Sequence, residues 1–257
     1  AQGDGPAALA AYRAGLAIAE TLARRDPANT QWQFDLGISH ERIGNMLRAQ
    51  GDNSAALEAY RKRHTIIEPL ARRDPPNPEC QLALSVSHER IGDVLLAQGD
   101  GPAALTAYSA GLAIHETLAR HDPANTQWQR DLSVSHEKIG NVLRAQGDGP
   151  AALDAYRAGL AIAETLARRD PANTQWQRDL SVSHDRIGDV LLAQGDGPAA
   201  LVAYRKRHTI AKTLARRDPG NAQWQVDLAV SCSKLGTTPA LPVAERRAFL
   251  LRGREVL

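Results

Sequence analysis

The first feature of the sequence that suggests chemistry is a histidine followed by a glutamate. The segment SHEKIG spans residues 135–140, and near-copies occupy 39–44 and 87–92. A zinc-protease helix needs two histidines four residues apart, with a glutamate beside the metal as general base. Gly140 stands where the second histidine belongs, so each copy supplies a single histidine. The pattern therefore argues against a catalytic zinc helix, and we predict no catalytic, metal-binding or cofactor-binding residue.

The histidines form a series that recurs at one fixed interval. Its members are His40, His88, His136 and His184, and Cys232 takes the same place in a fifth copy. Equivalent atoms in packed neighbouring helices are about 8 to 10 Å apart, whereas one zinc ion holds its ligands at about 2 Å. The series cannot share a metal, and we predict packed histidines whose ring nitrogens are hydrogen-bonded.

Three other motifs also favour structural roles. The segment GDGPAA at 99–104 matches the dinucleotide-binding turn, but that turn must follow a strand and here it follows a predicted helix. The RKRH clusters at 61–64 and 205–208 place successive residues around a helix circumference, which predicts a solvated face rather than a nucleic-acid patch. Cys80 replaces a tryptophan of the other units, which favours a packing residue over a reactive thiol.

Composition predicts an all-α protein. Hydrophobic residues make up 43% of the chain but aromatic residues only 4%, and the alanine and leucine that dominate favour closely packed helices. The net charge of +2 provides no field to attract nucleic acid or an anionic membrane. Two cysteines are too few for a disulfide framework, no signal peptide opens the chain, and no apolar run approaches membrane-spanning length. We therefore expect a reducing compartment and a cytoplasmic location.

A strict internal repeat decides the expected architecture. The dipeptide Ala-Gln recurs at 1, 49, 97, 145 and 193, and a fixed period in this range indicates stacked supersecondary units. We predict a solenoid domain at 1–236 made of five units, at 1–48, 49–96, 97–144, 145–192 and 193–236. The remainder, 237–257, is predicted to be a degenerate C-terminal helix or cap. In it Ala248-Phe249 aligns with Ala155-Tyr156 if three residues are deleted.

Each unit is predicted to contain two helices. In the fourth unit, Pro150 suits the first turn of a proline-started helix, which Asp170-Pro171 ends. A tryptophan-started helix follows, with Asn173 or Thr174 as its cap, and Gln194-Gly195 ends it. Each helix should span roughly 17 to 19 residues, hence about 27 Å. Because one pair cannot bury its apolar face alone, neighbouring pairs should stack into an α-solenoid.

The segment IGNVLRAQGDGPAALDAYRAG, 139–159, resembles the tetratricopeptide repeat (TPR). The matching positions are filled by Ile139, Gly140, Leu143, Ala152, Tyr156 and Gly159. The resemblance implies a right-handed superhelix of antiparallel helix pairs. The period here is longer than the family's usual one of about 34, somewhat as in kinesin light chain, and His136 holds the family's early tryptophan position. Arg63 and Arg207 stand where the family has a small residue.

The physical properties of the matching residues agree with this resemblance. Gly140 and Ala152 are small where two antiparallel helices must approach, and Tyr156 is large enough to fill the space between pairs. We therefore expect Gly140→Leu to disrupt its unit.

A candidate recognition surface is indicated by the differences between the third and fourth units. These units differ at eight of 48 positions, and three of the differences fall at i, i+4 and i+7 on the tryptophan-started helix. The resemblance implies that these positions face a bound peptide on the concave surface. The stripe comprises Glu41, Asn45, Arg48, Glu89, Asp93, Leu96, Glu137, Asn141, Arg144, Asp185, Asp189 and Leu192.

Acidic residues outnumber basic ones six to two in this stripe. The count predicts a partner segment that carries lysine or arginine, with Leu96 and Leu192 as apolar contacts. The alternative is a solvated helix face that binds nothing. As a whole, the sequence predicts a non-catalytic protein-interaction scaffold, with no nucleic-acid or membrane partner. A structural spacer, or a module that associates end to end through an exposed apolar end, is the alternative.

Overall fold

The computed structural model describes residues 5–256, and within this range the chain folds into eleven α-helices without strands. The chain divides between Asp122 and Pro123 into two compact units. They are called unit 1 and unit 2, and each is larger than any one of the five repeats predicted from the sequence. The helices of unit 1 are α1 (Gly5–Arg25), α2 (Thr30–Ala49), α3 (Asn53–Arg73), α4 (Pro78–Ala97) and α5 (Gly101–His121). Those of unit 2 are α6 (Thr126–Ala145), α7 (Gly149–Arg169), α8 (Thr174–Ala193), α9 (Gly197–Arg217), α10 (Ala222–Thr237) and α11 (Val243–Val256). The predicted all-α class is confirmed.

Side-chain caps fix where the two kinds of helix begin. In α8 the Asn173 Oδ1 accepts a hydrogen bond of 3.1 Å from the backbone N–H of Trp176, so Asn173 is the cap and Thr174 the first helical residue. In α7 the Asp148 Oδ1 accepts one of 3.0 Å from the N–H of Ala151. Each cap satisfies a first-turn N–H that has no partner inside its helix.

A glycine with positive φ ends each of the tryptophan-started helices α2, α4, α6 and α8. Gly195, after α8, has φ of +84°, a conformation that side chains on Cβ disfavour. The N–H groups of Gly195 and Asp196 donate back to Leu192 and Leu191 at 3.0 and 2.9 Å, which closes the helix end. The GDGPAA segment at 195–200, a copy of the one at 99–104, therefore joins helix α8 to helix α9 and does not follow a strand.

The helices are longer than the sequence predicted. Proline-started α7 has 21 residues and tryptophan-started α8 has 20, against the roughly 17 to 19 expected from apolar periodicity. The extra residues lie at the ends, because the caps act at Asp148 and Asn173, outside the apolar positions. Among the tryptophan-started helices only α10, with 16 residues, is shorter.

A glycine and a tyrosine set the close approach of helices inside each unit. Tyr156 of α7 is 2% exposed, and a Cβ added at Gly140 of α6 would lie 2.5 Å from its Cε1. No real Cβ fits at that distance. The same contact recurs for Gly44 with Tyr60, Gly92 with Tyr108 and Gly188 with Tyr204. This confirms the predicted roles of Gly140 and Tyr156.

The register of α11 corrects the sequence alignment. A Cβ on Gly236 of α10 would lie 2.5 Å from Cγ of Leu250, and one on Gly253 would lie 3.1 Å from Cβ of Cys232. Leu250 therefore occupies the position that tyrosine holds in the preceding helix pairs. The alignment with Tyr156 then requires a deletion of two residues rather than three. Phe249, which the sequence aligned there, instead lies edge-on to the ring of His208 at 5.3 Å. The sequence missed this register because Phe249 resembles tyrosine and Leu250 does not.

Candidate protein-interaction surface

The predicted stripe lies on α2 and α4 in unit 1 and on α6 and α8 in unit 2. All twelve of its residues keep some exposed surface, and Asn45, Arg48 and Arg144 are the most exposed of them. Within each unit the same repeat positions therefore reach solvent on successive tryptophan-started helices.

In unit 1 the stripe residues pair with other groups of the chain. Glu41 lies between two cations, with Oε2 3.1 Å from Nε of Arg63 and Oε1 3.3 Å from Nε of Arg90. Arg48 of α2 donates to Asp93 of α4 at 3.1 Å. These contacts link α2, α3 and α4, so the stripe is part of the packing as well as of the surface.

Glu89, Asp93 and Asn45 of unit 1 also have partners. Oε1 of Glu89 lies 3.4 Å from Nε2 of the buried His115 of α5. The hydroxyl of Tyr108 donates to Asp93 at 2.7 Å, and that of Tyr60 donates to Asn45 at 2.7 Å. Burial, together with the hydrogen bond to the Asp93 carboxylate, raises the pKa of Tyr108.

Unit 2 repeats this arrangement with different residues. Glu137 lies 3.4 Å from Nε of Arg186, and Asp185 lies 3.1 Å from Nε of the buried Arg207. Asp189 accepts hydrogen bonds from Lys234 of α10 and from the hydroxyl of Tyr204. Removal from water raises the pKa of Asp185 even though cations are near.

Asn141 and Leu192 are two further stripe residues of unit 2. Asn141 accepts a hydrogen bond of 2.8 Å from the hydroxyl of Tyr156. Leu192 packs, half-buried, against the apolar cluster around Tyr204. The polar stripe positions thus receive the hydroxyls of the tyrosines that fill the core.

The stripe is less acidic than its own residue count predicts, because the cations that balance it lie outside it. Arg90 and Arg186 each stand 49 residues after the carboxylate they pair with, one position more than the repeat. The dipeptides Glu-Arg and Asp-Arg in the sequence carry this signal. An arginine that directly follows the stripe carboxylate of its own repeat lies beside the stripe carboxylate of the preceding repeat. Charges counted along a single helix face do not reveal these partners, because the partners lie on neighbouring helices.

Two buried arginines, Arg63 and Arg207, fill the positions where the resembling family has a small residue. The solvated face predicted for the RKRH clusters is therefore wrong at these positions. Arg63 is 5% exposed, and its Nη1 donates to the carbonyl of Ala83 at 2.6 Å and to the hydroxyl of Ser87. In α7 the equivalent residue is Gly159, where a Cβ would lie 3.0 Å from the carbonyl oxygen of Ser133. Arg63 is accommodated at its buried position because its guanidinium pairs with the Glu41 carboxylate and donates to further acceptors.

The histidine series is packed rather than assembled into a site. His40 and His184 are buried, and desolvation lowers the pKa of both, that of His184 to about 4. His88 lies edge-on to His64 with ring centroids 4.8 Å apart. Across residues 5–256, no three His, Cys, Asp or Glu side chains lie close enough together to hold a metal ion.

Both cysteines are free and buried. Cys80 packs against Ile67, Leu70 and Ala71, and burial raises the pKa of its thiol. Cys232 Sγ lies 3.9 Å from Nδ1 of His208, and burial raises its pKa too. Neither environment favours the reactive thiolate.

The chain matches no family model and no curated protein sequence. Its structure, however, is similar to solved helical repeat proteins. BtubC (BKLC) from P. vanneervenii superposes with a TM-score of 0.73 at 15% identity, over 99% of this chain and 91% of BtubC. A P. anserina protein described as a kinesin light chain with nearly identical TPR-like repeats gives 0.59 at 16% identity, over 85% of this chain and 93% of that protein. The chain has a TPR-like fold.

The apo form of RapI shares this TPR-like fold, with a TM-score of 0.67 at 13% identity. The match covers 96% of this chain but only 57% of RapI. At these identities the similarity concerns the fold alone, and function must be argued from this chain's own surface. None of the helices in residues 5–256 has the length and apolarity to cross a bilayer.

Proposed function

We propose that this TPR-like chain is a non-catalytic protein-interaction scaffold that binds a peptide or protein segment through the stripe. The observation that carries the proposal is the contrast between the stripe and the glycine–tyrosine contacts, which form the packing frame of the repeats. The glycine–tyrosine contacts are the same in four successive helix pairs, whereas the stripe changes residue type at exposed positions. Stripe positions that change residue type while keeping exposed surface suit recognition, even though several of them also pair within the chain. Proteins of this fold generally mediate protein–protein interactions.

The finer proposal is a partner segment that carries lysine or arginine, with Leu96 and Leu192 as apolar contacts. A carboxylate already paired with Arg90 or Arg186 attracts a second cation less strongly than an unpaired one. We therefore expect the charge preference to be moderate. Salt should weaken this preference, because the side chains of Glu41 and Glu137 are partly exposed and salt screens their attraction for the partner's cations.

The test compares a double change to lysine in the stripe of unit 2 with a single change outside it. Glu137→Lys with Asn141→Lys alters the stripe without touching a buried arginine, whereas substitutions of Glu41 or Asp185 would leave one unpaired. The control is Asp154→Lys on α7, whose side chain is 82% exposed and lies outside the stripe. The parent chain and both variants serve as baits in the source lysate.

The proposal predicts a protein that is retained by the parent and by the control but lost by the stripe variant. Loss from both variants, or from neither, would contradict a role of the stripe. Competition by excess poly-acidic peptide, with none by poly-basic peptide, would overturn the charge preference. If no protein is retained and light scattering shows mass rising with concentration, the chain is instead a self-associating module. The cytoplasmic location and the division at 236/237 stay predictions.

A further inference from the structure

The last helix pair of unit 2 has an open apolar groove on one side. Val226, Ala229, Val230 and Ser233 of α10 line it at i, i+3, i+4 and i+7, and Leu250, Gly253 and Arg254 of α11 form the opposite wall. Its volume is about 290 Å³. Val226, Val230 and Leu250 are each at least 40% exposed. Three large apolar side chains are thus exposed together rather than singly, which marks an interaction site.

The preceding helix pair shows what such a face holds when it is covered. Arg178 and Asp185 of α8 stand one repeat before Val226 and Ser233. Arg178 Nε lies 2.9 Å from Asp227 of α10, and Lys234 of α10 lies 4.0 Å from Asp185. The face of α8 and α9 is therefore covered by a helix, which makes polar contacts at both positions. On α10 both positions are uncharged, so a helix that covers this face has no ion pair with α10 to make.

The groove has a basic wall instead. Arg254 lines it, and Arg247 lies two turns earlier on the same side of α11. The helix contains four arginines and two glutamates. One of these glutamates, Glu245, lies 3.7 Å from Arg205 of α9. The positive charge of α11 is thus only partly balanced.

These features select one occupant. We propose that the groove between α10 and α11 binds an acidic amphipathic α-helix of another protein. The apolar residues of that helix would contact Val226, Val230 and Leu250. Its carboxylates would lie beside Arg254 and Arg247. The lined segment of α10 covers about 10 Å, so two to three turns of a partner helix fill it.

A second copy of this chain fits the groove less well. The first helix, α1, has an exposed apolar residue, Ile18, but it carries three arginines and one glutamate. Its positive charge would oppose Arg254. Pairing two copies through the same groove would place two identical basic walls opposite each other. Like charges in contact disfavour both arrangements.

The test uses the full chain and two stapled helical peptides of about 14 residues, about four turns. Both carry leucine at i, i+3, i+4 and i+7, and their other positions are alanine with either glutamate or lysine. We expect the glutamate peptide to bind, in fluorescence anisotropy, at least about tenfold more tightly than the lysine peptide. Equal binding, or tighter binding of the lysine peptide, would overturn the proposal.

Variants of the chain locate the binding site. Val230→Glu should weaken binding of the glutamate peptide at least about tenfold, because it buries an unpaired charge beside another acid, and Arg254→Glu should weaken it also. Val202→Glu on α9, at a residue 58% exposed and outside the groove, is the matched control and should bind as the parent does. Val230→Ser, which adds no charge, should weaken binding less than Val230→Glu.

Circular dichroism and urea unfolding of each variant separate lost binding from lost folding. If Val230→Glu folds and binds as the parent does, the groove is not the site. If the parent is a dimer in light scattering and Val230→Glu makes it a monomer, the occupant is a second copy and the proposal is wrong. The stripe variant Glu137→Lys/Asn141→Lys should bind the glutamate peptide normally, so this proposal and the proposed function fail independently.

Discussion

Two regions of the molecule build the same repeat position in opposite ways. In unit 1, α3 places the buried Arg63 beside Glu41 of α2, with 3.1 Å between the charged atoms. In unit 2, α7 has Gly159 at that position, and the hydroxyl of Ser133 donates to its backbone carbonyl at 2.9 Å. Glu137, the counterpart of Glu41, therefore receives no guanidinium from Gly159. The first region, an arginine junction, makes a surface carboxylate necessary for folding, whereas the second, a glycine junction, does not.

The largest expected difference comes from deleting these two carboxylates. Glu41→Ala should lower the free energy of unfolding by about 3 to 5 kcal/mol, because it leaves Arg63 buried without its carboxylate. Glu137→Ala removes only a half-exposed pair with Arg186 and should cost about 1 kcal/mol or less. Urea unfolding of both variants measures the difference. Equal costs would show that the junctions do not differ as described.

A second prediction concerns the frame that both junctions share. Gly44→Leu and Gly140→Leu should each cost about 3 kcal/mol or more, because a Cβ would already lie 2.6 or 2.5 Å from a tyrosine ring. Similar losses in urea unfolding would confine the difference between the regions to the Arg63 position. A much smaller loss for one variant would mean that its helix pair moves apart easily.

A double-mutant cycle isolates the buried ion pair itself. Arg63→Gly converts the arginine junction toward the glycine type, so Glu41→Ala should cost little in that background. We expect a coupling energy of about 3 kcal/mol between Arg63 and Glu41. Additive costs would show that Arg63 is held by Ala83 and Ser87 alone.

Lowering the pH should destabilise the arginine junction of unit 2, around α8 and α9, more than its glycine junction, around α6 and α7. Burial lowers the pKa of His184 on α8 and of His208 on α9 to about 4. His208 lies 2.8 Å from the hydroxyl of Ser231 on α10, and the position of His208 is held by Leu160 on α7. Because the folded-state pKa is depressed, the unfolded chain takes up protons first. The stability that these neutral histidines contribute above pH 6.5 is therefore lost as pH falls from about 6.5 to 4.

The expected loss is about 1 kcal/mol for each histidine at about pH 5, after allowance for solvent screening. Hydrogen exchange should show α8 and α9 opening before α6 and α7 as the pH falls. The raised pKa of Asp185 acts in the opposite direction, since its protonation favours the folded state. His184→Gln should flatten the pH dependence, and an unchanged profile would contradict the assignment.

Most of the fold was predictable because its determinants are short-range or strictly repeated. The repeat period, the caps such as Asn173 and the turn glycines such as Gly195 act within a few residues or recur without change, so the sequence shows them directly. The role of Gly140 beneath Tyr156 followed from size alone. Helix length and the register of Leu250 did not, because apolar periodicity ignores polar end residues and a leucine can replace a tyrosine.

The helices that carry the stripe residues were predictable from the sequence, but the charge balance of the stripe was not, and its role in recognition stays a prediction. The sequence placed the stripe on the tryptophan-started helices, and the structure leaves those residues partly exposed. It did not identify Arg90, Arg186 or Lys234 as partners, since a spacing of 49 or 45 residues has meaning only once neighbouring helices are aligned. A count along one helix therefore overstated the acidity.

By itself, the sequence determined the repeat, the helix boundaries to within a few residues and the frame of small and large side chains. These depend on local backbone chemistry and on residue size. Only the tertiary structure decided which carboxylates are neutralised, that Arg63 and Arg207 are buried, and that Val226, Val230 and Leu250 form an open groove. Burial and ion pairing depend on which side chains meet across helices, and that follows from packing rather than from any single segment.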